Sequence, residues 1–464
     1  MLTDLPVDIL ECILEYINAE SLLELSRVSR FFYNIANDEY VWKKKCFDQF
    51  NIAHDIAYRK AGWRRLYLAL RNPRVYTWGR NDDFRLGLKS TETSTFTVEI
   101  SKREQRIRAG SEVAEPQEVY SLRGKGIVDI VSGGWSFHAL DRFGYVWFWG
   151  ILSKMHSFNT QRSIGADSVK IPTKLQTRVP DEHKVKFKSV ASGRGHAIGL
   201  AQDGSVWHWS NCHVIQKVNL LSANSKVVQV TANWSYSSVL TEDGTIFIVP
   251  HPLYVSRMDI QNDFEPILAP TVVSMGVPSS AILQDPKDQV IQICGLDNYT
   301  MALTKYGRVL KLATKNDMAF ATSPEQFVTF LTHFSASERE VSDRRGQVKR
   351  FITGSFESFA VYTDDDRVLL GSIHSTQDSE PRRLTGLDHK QVCKVSFGDY
   401  HYGALTSKGE IMTWGNYSSG ALGHGANNQD LRAPQYVESL KHMYTFAIGF
   451  GGWQSSALVI NVDE

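Results

Sequence analysis

Apolar side chains near the start of the chain recur every three or four residues, the spacing of an α-helix with one apolar face. The positions are Ile9, Leu10, Ile13, Leu14 and Ile17. Pro6 falls in the first turn of this predicted helix, where its missing N–H costs nothing. Ser21 and Ser29 precede further apolar groups, and each serine can cap another short helix. The pattern predicts three or four short helices within residues 1–50.

This small helical region carries more large apolar side chains than a bundle of its size can bury. The side chains interpreted as surplus apolar surface are Leu5, Leu10, Leu14, Leu22 and Leu25. A surface of this kind is typical of a protein–protein interface. The alternative is an ordinary helical subdomain that packs on the rest of its own chain.

Residues 51–74 predict a stiff amphipathic helix that connects the helical region to the rest of the chain. Its apolar positions are Trp63, Leu66, Tyr67 and Leu70. Pro73 ends the predicted helix. Between residues 40 and 74, nine Lys or Arg oppose Asp48 and Asp55, a local excess of +7 (9 − 2). We interpret this charge as a solvated helical face, and a contact with an acidic partner is the alternative.

From residue 75 onward, the apolar positions follow a repeated pattern of short β-strands. Six whole repeats fall at 131–150, 190–210, 230–249, 293–312, 352–371 and 395–415. Two half-repeats, 74–88 and 450–460, complete a seventh. In every whole repeat a Gly or Asp follows the second strand, where a tight hairpin requires positive φ. These hairpin residues are Gly144, Gly204, Gly244, Gly307, Asp366 and Gly409.

The spacing of the repeats predicts four-stranded blades arranged around an axis. Gly133 and Gly451 lie 318 residues apart over six steps, or 53 residues per step, a length that four strands and their turns fit. Because the seventh repeat is split, strand 75–79 is expected to pair with strands in 443–460 and close the ring. The predicted fold class is therefore mainly β, a seven-bladed β-propeller preceded by a small helical domain and a linker helix. The segments that fit no repeat, interpreted as surface insertions, are 89–115, 153–184, 250–287 and 313–347.

Composition narrows the functional classes. Of 464 residues, 42% are hydrophobic and 22% charged, and the net charge is +1, so no overall field favours nucleic acid or a membrane surface. No apolar run approaches the ~18 residues of a membrane-spanning helix. The five cysteines form no Cys-x-x-Cys pair, which favours a reducing compartment over a disulfide framework or a zinc site. We expect a cytoplasmic and/or nuclear protein, with neither nucleic acid nor a membrane among its partners.

The sequence contains no credible catalytic set, metal site or cofactor site. His196 and His401 share one repeat position that Ser, Tyr or Gln occupies elsewhere, so we interpret both as blade architecture. Residues 193–196 lack the Lys and the helix of a phosphate loop. The three aspartates at 364–366 are interpreted as a solvated turn and not as a metal cluster. We expect a non-catalytic protein.

One position, just before the shared histidine position, holds a large or charged side chain in every repeat. The side chains are Trp135, Arg194, Trp234, Asp297, Glu357, Tyr400 and Trp453. Equivalent positions of a propeller come to one rim or to the central funnel, and Trp, Tyr and Arg contribute most to interface energy. We predict a substrate-binding surface at these residues, and packing of the tryptophans between blades is the alternative.

The N-terminal segment resembles the F-box. The resemblance is carried by Leu5-Pro6, Ile9-Leu10, Ile13-Leu14, Leu22, Leu25, Val28-Ser29 and Trp42, which fall in register. It implies that residues 1–50 bind the Skp adaptor and, through it, the cullin and RING subunits of a Skp–cullin–F-box ubiquitin ligase. The adaptor-binding residues that it implies are Leu5, Pro6, Ile9, Leu10, Ile13, Leu14, Leu22, Leu25, Val28 and Trp42.

The repeats resemble those of the regulator of chromosome condensation, a seven-bladed β-propeller, over residues 74–461. The segment 392–425 matches best. Ser210, Asn233 and Val249 depart from the repeat, and irregular blades are expected there. The predicted domains are an F-box at 1–50, a helical linker at 51–74 and the propeller at 75–464.

The two resemblances together imply the substrate-recognition subunit of a Skp–cullin–F-box ubiquitin ligase, whose propeller binds a protein target for ubiquitylation and degradation. One alternative is a guanine-nucleotide exchange factor-like propeller for a small GTPase, which rests on the shared fold alone. The other is an adaptor-bound F-box protein that acts outside ubiquitylation.

Overall fold

The computed structural model describes most of the chain. The described residues are 5–52, 58–88, 112–152, 168–175, 185–211, 215–253, 270–337 and 350–461. Helices occupy its first part and strands dominate from residue 74 onward, so the predicted order of a helical region followed by a β ring is confirmed.

Five α-helices lie in the described part of the helical region and its connector. They are α1 (Val7–Tyr16), α2 (Ala19–Leu25), α3 (Arg30–Ala36), α4 (Glu39–Gln49) and α5 (Trp63–Ala69). Ser29 caps α3 as predicted, because its hydroxyl accepts the Phe32 N–H at 3.3 Å. Ser21 does not cap α2: it lies inside that helix, and its N–H donates to the Asn18 side chain, which is the cap, at 2.8 Å.

The core of the helical region forms around Trp42. This side chain is fully buried, donates its Nε1–H to Ala36 O at 2.8 Å, and meets the Tyr67 ring edge-on at 5.1 Å. Lys45 is also buried and donates to the carbonyl oxygens of Glu15, in the last turn of α1, and of Ile17, which caps that helix. Burial lowers the Lys45 pKa. The interpretation of the basic residues as one solvated face is therefore wrong for Lys45.

Seven sheets surround a central channel, which confirms the predicted propeller and its blade count. Blade seven is split and holds β1 (Arg74–Arg80), β2 (Glu112–Glu118), β28 (Met443–Gly451) and β29 (Gln454–Asn461). Blade one holds β3 (Ile127–Ser132), β4 (Ser136–Asp141), β5 (Val146–Gly150) and β6 (Val169–Lys174). Blade two holds β7 (Phe187–Ser192), β8 (Ala197–Ala201), β9 (Val206–Trp209) and β10 (Gln216–Leu220). Blade three holds β11 (Val227–Ala232), β12 (Ser237–Thr241), β13 (Ile246–Val249) and β15 (Gly276–Val277).

The remaining three blades follow the same meander. Blade four holds β16 (Val290–Gly295), β17 (Thr300–Thr304), β18 (Val309–Leu312) and β19 (Val328–Phe330). Blade five holds β20 (Phe351–Ser355), β21 (Ser358–Tyr362), β22 (Val368–Ser372) and β23 (Arg382–Arg383). Blade six holds β24 (Val392–Phe397), β25 (His401–Thr406), β26 (Ile411–Gly415) and β27 (Leu431–Tyr436). One further strand, β14 (Thr271–Val273), pairs in parallel with β10 at the edge of blade two.

The two ends of the repeat region meet in blade seven. Its strand order is β2-β1-β29-β28, and Val75 lies opposite Leu458 in the antiparallel register of β1 and β29. The last strands of the chain thus pair with the first strand of the ring, and the circle of blades has no open edge at this point.

The hairpins between the second and third strands of the six unsplit blades lie on one face, the hairpin face. The six predicted hairpin residues all have positive φ, from 64° at Asp366 to 87° at Gly144, as their turns require. The loops between the first and second strands lie at the opposite end, because connections of an antiparallel meander alternate between ends. We call this opposite end the rim.

The segments interpreted as insertions supply outer strands. Residues 153–184 contain β6, residues 250–287 contain β14 and β15, and residues 313–347 contain β19. The interpretation missed β14, β15 and β19 because they are only two or three residues long. It missed β6 because this strand, although six residues long, buries only one of them and so carries little apolar alternation. The other parts of these segments, and most of 89–115, lie outside the described residues.

The connector is fixed to the hairpin face. Arg59 is buried there and donates to Ser407 O at 3.2 Å and to the Tyr444 hydroxyl at 3.0 Å. Tyr58 N donates to Cys393 O at 2.7 Å. Among the described residues of the predicted range, a helix spans only Trp63–Ala69, and the preceding Gly62 has a left-handed φ of 85°. Contacts with the propeller, and not one long helix, therefore hold the helical region in place.

Candidate functional site

The helical region exposes a row of apolar side chains, which we call the stripe. Its predicted members in solvent are Leu5, Pro6, Ile9, Ile13 and Val28, and Leu25 is half-buried. Ile9 is 48% and Val28 67% exposed, although both are aliphatic. Tyr16, 89% exposed, extends the stripe beyond the predicted adaptor-binding set. An apolar row of this kind on a small domain is typical of a docking surface.

Three leucines interpreted as surplus surface are not on the stripe. Leu10, Leu14 and Leu22 are at most 2% exposed, and Trp42 is fully buried with them. The helix α1 packs against α3 and α4, and its Leu10–Leu14 row faces them. The interpretation of these leucines as exposed surface is wrong, because the bundle buries one of the two apolar rows that α1 carries.

The rim brings the loops of successive blades together through their main chains. Gly134 N donates to Arg194 O at 3.2 Å, and Arg194 N donates to Trp234 O at 3.1 Å. Trp234 N then reaches Leu296 O at 3.3 Å, and Asp297 N reaches Phe356 O at 2.6 Å. These bonds link the loops of blades one to five into one chain of contacts, so the rim is a preorganised surface.

Arg194 lies between two tryptophans at the centre of the rim. The Arg194 guanidinium carbon is 4.5 Å from the Trp135 ring centroid and 4.1 Å from that of Trp234. Trp234 stacks on Phe356 at 4.3 Å, with 26° between the rings. Phe356 has φ +55°, a backbone strain that non-glycine residues rarely carry and that concentrates at functional sites. We call these four side chains the Trp–Arg stack.

A cavity of about 240 Å³ adjoins the Trp–Arg stack and is lined by residues of blades six, seven, one and two. Trp453 lines it with the Arg80 guanidinium 4.7 Å above its ring, and Arg85 and Asp399 complete the wall. Burial raises the Asp399 pKa, and the positive charges of Arg194 and Arg85 oppose that rise. Burial lowers the Arg194 pKa, opposed by Asp399. The cavity thus pairs aromatic walls with cations and a carboxylate that respond to each other's charge.

The structure places the seven predicted rim residues as follows. Trp135, Arg194 and Trp234 form one stack, and Trp453 lies beside it across the cavity. Tyr400 and Glu357 point into solvent on the same rim, and Asp297 is half-buried there. The fully buried tryptophans are others, whereas the rim tryptophans are half-buried, and Trp135 and Trp234 pack on loops of other blades. The sequence analysis missed Phe356, because a left-handed residue in a loop leaves no periodic signal.

The two repeated histidines join neighbouring blades. His196 Nε2 lies 2.9 Å from Tyr236 O and 3.0 Å from Ser237 Oγ, and His401 Nε2 lies 2.9 Å from Ser455 Oγ. Burial lowers the pKa of His196 to about 3 and that of His401 to about 4. Neutral, fully buried imidazoles bonded across a seam fit the architectural interpretation.

The aspartate run at 364–366 has a role that the sequence analysis missed. Asp364 O accepts a hydrogen bond from Lys60 Nζ at 2.6 Å, and its carboxylate accepts one from the Tyr58 hydroxyl at 3.1 Å. The run therefore anchors the connector on the hairpin face.

Within the described ranges, no three His, Cys, Asp or Glu side chains are grouped so as to hold a metal ion. None of the helices there combines the length and apolar character that a bilayer crossing requires.

Comparisons with protein families match both regions of the chain. A family model described as F-box-like matches residues 2–48, and that of the regulator of chromosome condensation (RCC1) repeat matches residues 73–140. F-box protein pof9 from Schizosaccharomyces pombe is 21% identical, covering 99% of this chain and 90% of that protein. SCF-associated factor 1 from Saccharomyces cerevisiae is 22% identical, covering 60% of this chain and 42% of that protein.

Other similarities concern the propeller. E3 ubiquitin-protein ligase HERC2 from Homo sapiens is 22% identical over 83% of this chain, but the match spans only 8% of HERC2's length. The structure of human WBSCR16 has a TM-score of 0.59 and 16% identity, covering 84% of this chain and 99% of that chain. The structure of Prp20p from Saccharomyces cerevisiae has a TM-score of 0.57 and 16% identity, covering 84% of this chain and 92% of that chain. At such identities the structures show a shared fold. The chain thus combines an F-box-like domain with a seven-bladed propeller of regulator-of-chromosome-condensation repeats.

Proposed function

We propose that this chain is the substrate-recognition subunit of a Skp–cullin–F-box ubiquitin ligase. The observation that supports the proposal is that the exposed apolar stripe and the Trp–Arg stack lie at opposite ends of the structure. The stripe is on the helical region, which is fixed to the hairpin face, and the Trp–Arg stack is on the rim. A receptor of this kind must hold an adaptor and a target at the same time without either blocking the other.

The stripe supports binding of the Skp adaptor. Leu5, Ile9 and Ile13 each keep between 39% and 48% of their surface in water, although the bundle could have buried them. Burial of the exposed part of each side chain by the adaptor would contribute about 1 kcal/mol to the free energy of binding. The cost of association removes part of that gain, so the flanking Val28 and Tyr16 are expected to contribute.

The rim supports binding of a protein target. Trp, Tyr and Arg side chains that are held in place before binding lose little conformational entropy when a partner arrives. The chain itself forms no covalent bond in this proposal. It raises the concentration of target lysines near a ubiquitin-charged enzyme that the cullin holds elsewhere.

A double variant, Ile9→Ser with Ile13→Ser, tests the adaptor surface. We expect full-length protein with these changes to bind the Skp adaptor about 30-fold more weakly or worse, since two apolar contacts of the stripe are removed. Co-purification of the adaptor, of the cullin and of ubiquitylated proteins under proteasome inhibition is measured. Leu221→Ser on blade two, where Leu221 is 63% exposed, is the matched control and should retain all three.

The outcomes separate the alternatives. Retention of the adaptor by the double variant would overturn the docking assignment. Adaptor without cullin in the wild-type complex would favour an F-box protein acting outside ubiquitylation. The exchange-factor alternative predicts accelerated nucleotide release from a Ran-like GTPase, which the receptor proposal does not.

A further inference from the structure

Two adjacent seams between blades are closed by the same device. Between blades six and seven, the loop after β26 places Leu422 in the seam, where it is 2% exposed. Trp78 of blade seven donates its Nε1–H to Ala421 O at 2.8 Å. Thr413 Oγ1 donates to Leu422 O at 2.7 Å and fixes the loop from the other side. We call a loop of this kind a Leu–Gly plug.

The seam between blades seven and one repeats the leucine, glycine and threonine of this plug but not its indole hydrogen bond, because Trp149 Nε1 has no hydrogen-bond partner among the described residues. Leu86 is fully buried and Gly87 lies against Trp149 of blade one, where an added Cβ would come within 2.7 Å of the indole. Thr77 Oγ1 donates to Leu86 O at 2.8 Å, as Thr413 does in the other plug. The plug therefore needs a leucine to fill the seam and a glycine to let its backbone pass the tryptophan.

The seam between blades five and six has the tryptophan without the plug. Trp414 occupies the same place on the third strand of blade six as Trp78 does in blade seven. In blade five, Leu370 stands where the plugged blades have the bonding threonine, and the loop 372–381 contains no Leu-Gly pair. A cavity of about 390 Å³ remains there, lined by Trp414, Tyr402 and Phe397 on one side and Leu370 and Ser379 on the other.

The cavity presents matching chemistry to an extended peptide. Tyr402 and Trp414 stack at 5.7 Å and form an apolar wall. Among the described residues, none accepts a hydrogen bond from the Trp414 indole N–H. Ser358 and Ser372 offer hydroxyl groups, and the mouth carries the exposed Arg382. The cavity is at the rim end of its seam, since Ser358 directly follows the exposed Glu357.

The chain has no spare plug of its own. Its only Leu-Gly pairs are at 86–87, 370–371 and 422–423. The first and third close the two seams described above, and the second lies in β22 itself. None of the Leu-Gly pairs in this sequence is therefore left to close the third seam in the same way.

We propose that the cavity between blades five and six binds an extended segment of a partner protein with a small residue followed by Leu-Gly. The leucine fills the space against Trp414 and Tyr402, and the carbonyl of the small residue accepts the Trp414 N–H, as Ala421 O does from Trp78. The site adds a sequence preference to the rim but does not depend on adaptor binding, so the two proposals can fail separately.

The probe is the chain's own plug as a peptide, acetyl-Gly-Ala-Leu-Gly-His-Gly-amide. It is titrated into full-length protein labelled with 5-fluorotryptophan, and the Trp414 fluorine resonance is assigned by its loss in Trp414→Phe. We expect a saturable shift of this resonance and at least about tenfold weaker binding of the peptide with Asp in place of Leu. Ser379→Phe, which fills the cavity, should weaken binding by about tenfold.

Ser379→Ala is the matched control, because it loses the same hydroxyl without filling the cavity, and it should bind within about twofold of wild type. The proposal is overturned if the resonance shows no saturable shift up to about 10 mM peptide, a concentration at which millimolar affinity would be evident. It is also overturned if the Asp peptide binds equally well, or if Ser379→Phe and Ser379→Ala behave alike.

Discussion

Ile9 and Leu10 are neighbours in sequence with opposite environments. Consecutive residues of an α-helix point about 100° apart, so α1 can carry two adjacent apolar rows. Leu10 is 1% exposed against α3 and α4, whereas Ile9 is 48% exposed. The two side chains therefore serve different purposes, stability in one case and binding in the other.

Alanine at each of these positions separates the two roles. Leu10→Ala should lower the free energy of unfolding of the helical region by about 2–5 kcal/mol, because it leaves a cavity in the bundle core. Ile9→Ala should change it by less than about 0.5 kcal/mol while weakening adaptor binding. Urea denaturation followed by circular dichroism measures the free energy of unfolding of both variants. Equal destabilisation by the two variants would contradict the assignment of Ile9 to the surface.

The sequence predicted both apolar rows but could not tell which of them is buried. Periodicity defines the angle between side chains and says nothing about which side a neighbouring helix covers. The same limit applies to Lys45 and Arg59. Their burial depends on carbonyl groups of other elements, and the charge count alone indicated a solvated face.

At the scale of elements, the Leu–Gly plug shows why a glycine is needed at one place in a loop and merely convenient at another. Gly423 and Gly425 have nearly equal φ, 80° and 84°. A Cβ on Gly423 would come within 2.9 Å of Trp78 Nε1, whereas one on Gly425 would meet its nearest neighbour, Glu115 Oε1, at 3.5 Å. A side chain at either position would suffer the same backbone strain, and the two positions differ only in the room they leave for a Cβ atom.

The two glycine-to-alanine variants should therefore differ in stability. Gly425→Ala should cost about 1–2 kcal/mol, the strain of an alanine at positive φ. Gly423→Ala should cost that amount and about 1–3 kcal/mol more, because the plug must move away from Trp78. Thermal unfolding of the two variants side by side gives the difference. A Gly425 variant as unstable as the Gly423 variant would show that strain, and not the contact with Trp78, sets the cost.

The elements were predictable to different degrees for the same physical reason. The first three strands of most blades have alternating or continuous apolar positions, and a glycine marks the hairpin between the second and third strands. The repeats could therefore be recognised in the sequence. Outer strands such as β15 and β23, with two residues each, carry no pattern. The rim position could be predicted because it recurs in every repeat. The contacts of the Trp–Arg stack could not, since they join loops of blades that are far apart in sequence.

At the scale of the whole molecule, four buried histidines join neighbouring elements around the ring. His138 accepts a hydrogen bond from Trp209 Nε1 at 3.1 Å, and His208 Nε2 lies 2.9 Å from Thr271 Oγ1 of β14. His196 and His401 bond to blades three and seven. Burial lowers the pKa to about 3 for His138 and His196 and to about 4 for His208 and His401.

These histidines make the ring sensitive to acid. Their folded pKa values lie below the unfolded value near 6.5, so below that pH the unfolded chain binds more protons and the free energy of unfolding falls. At pH 5 each contributes a loss of up to about 2 kcal/mol. Asp399, whose pKa is raised, acts in the opposite direction but is a single group.

We therefore expect the urea midpoint to drop steeply between about pH 6.5 and pH 5, before carboxylates of ordinary pKa begin to titrate. Protonation removes the acceptor that His138 offers to Trp209 and places unsolvated charge in several seams at once, so the ring should open cooperatively. His401→Gln should make the free energy of unfolding depend less steeply on pH, because the chain then takes up about one proton fewer on unfolding. His374→Gln, at an exposed position of blade five, is the matched control for the substitution itself. A midpoint that stays constant across this range would mean that the seams accept charged imidazoles, and the histidines would then not hold the blades together as neutral groups.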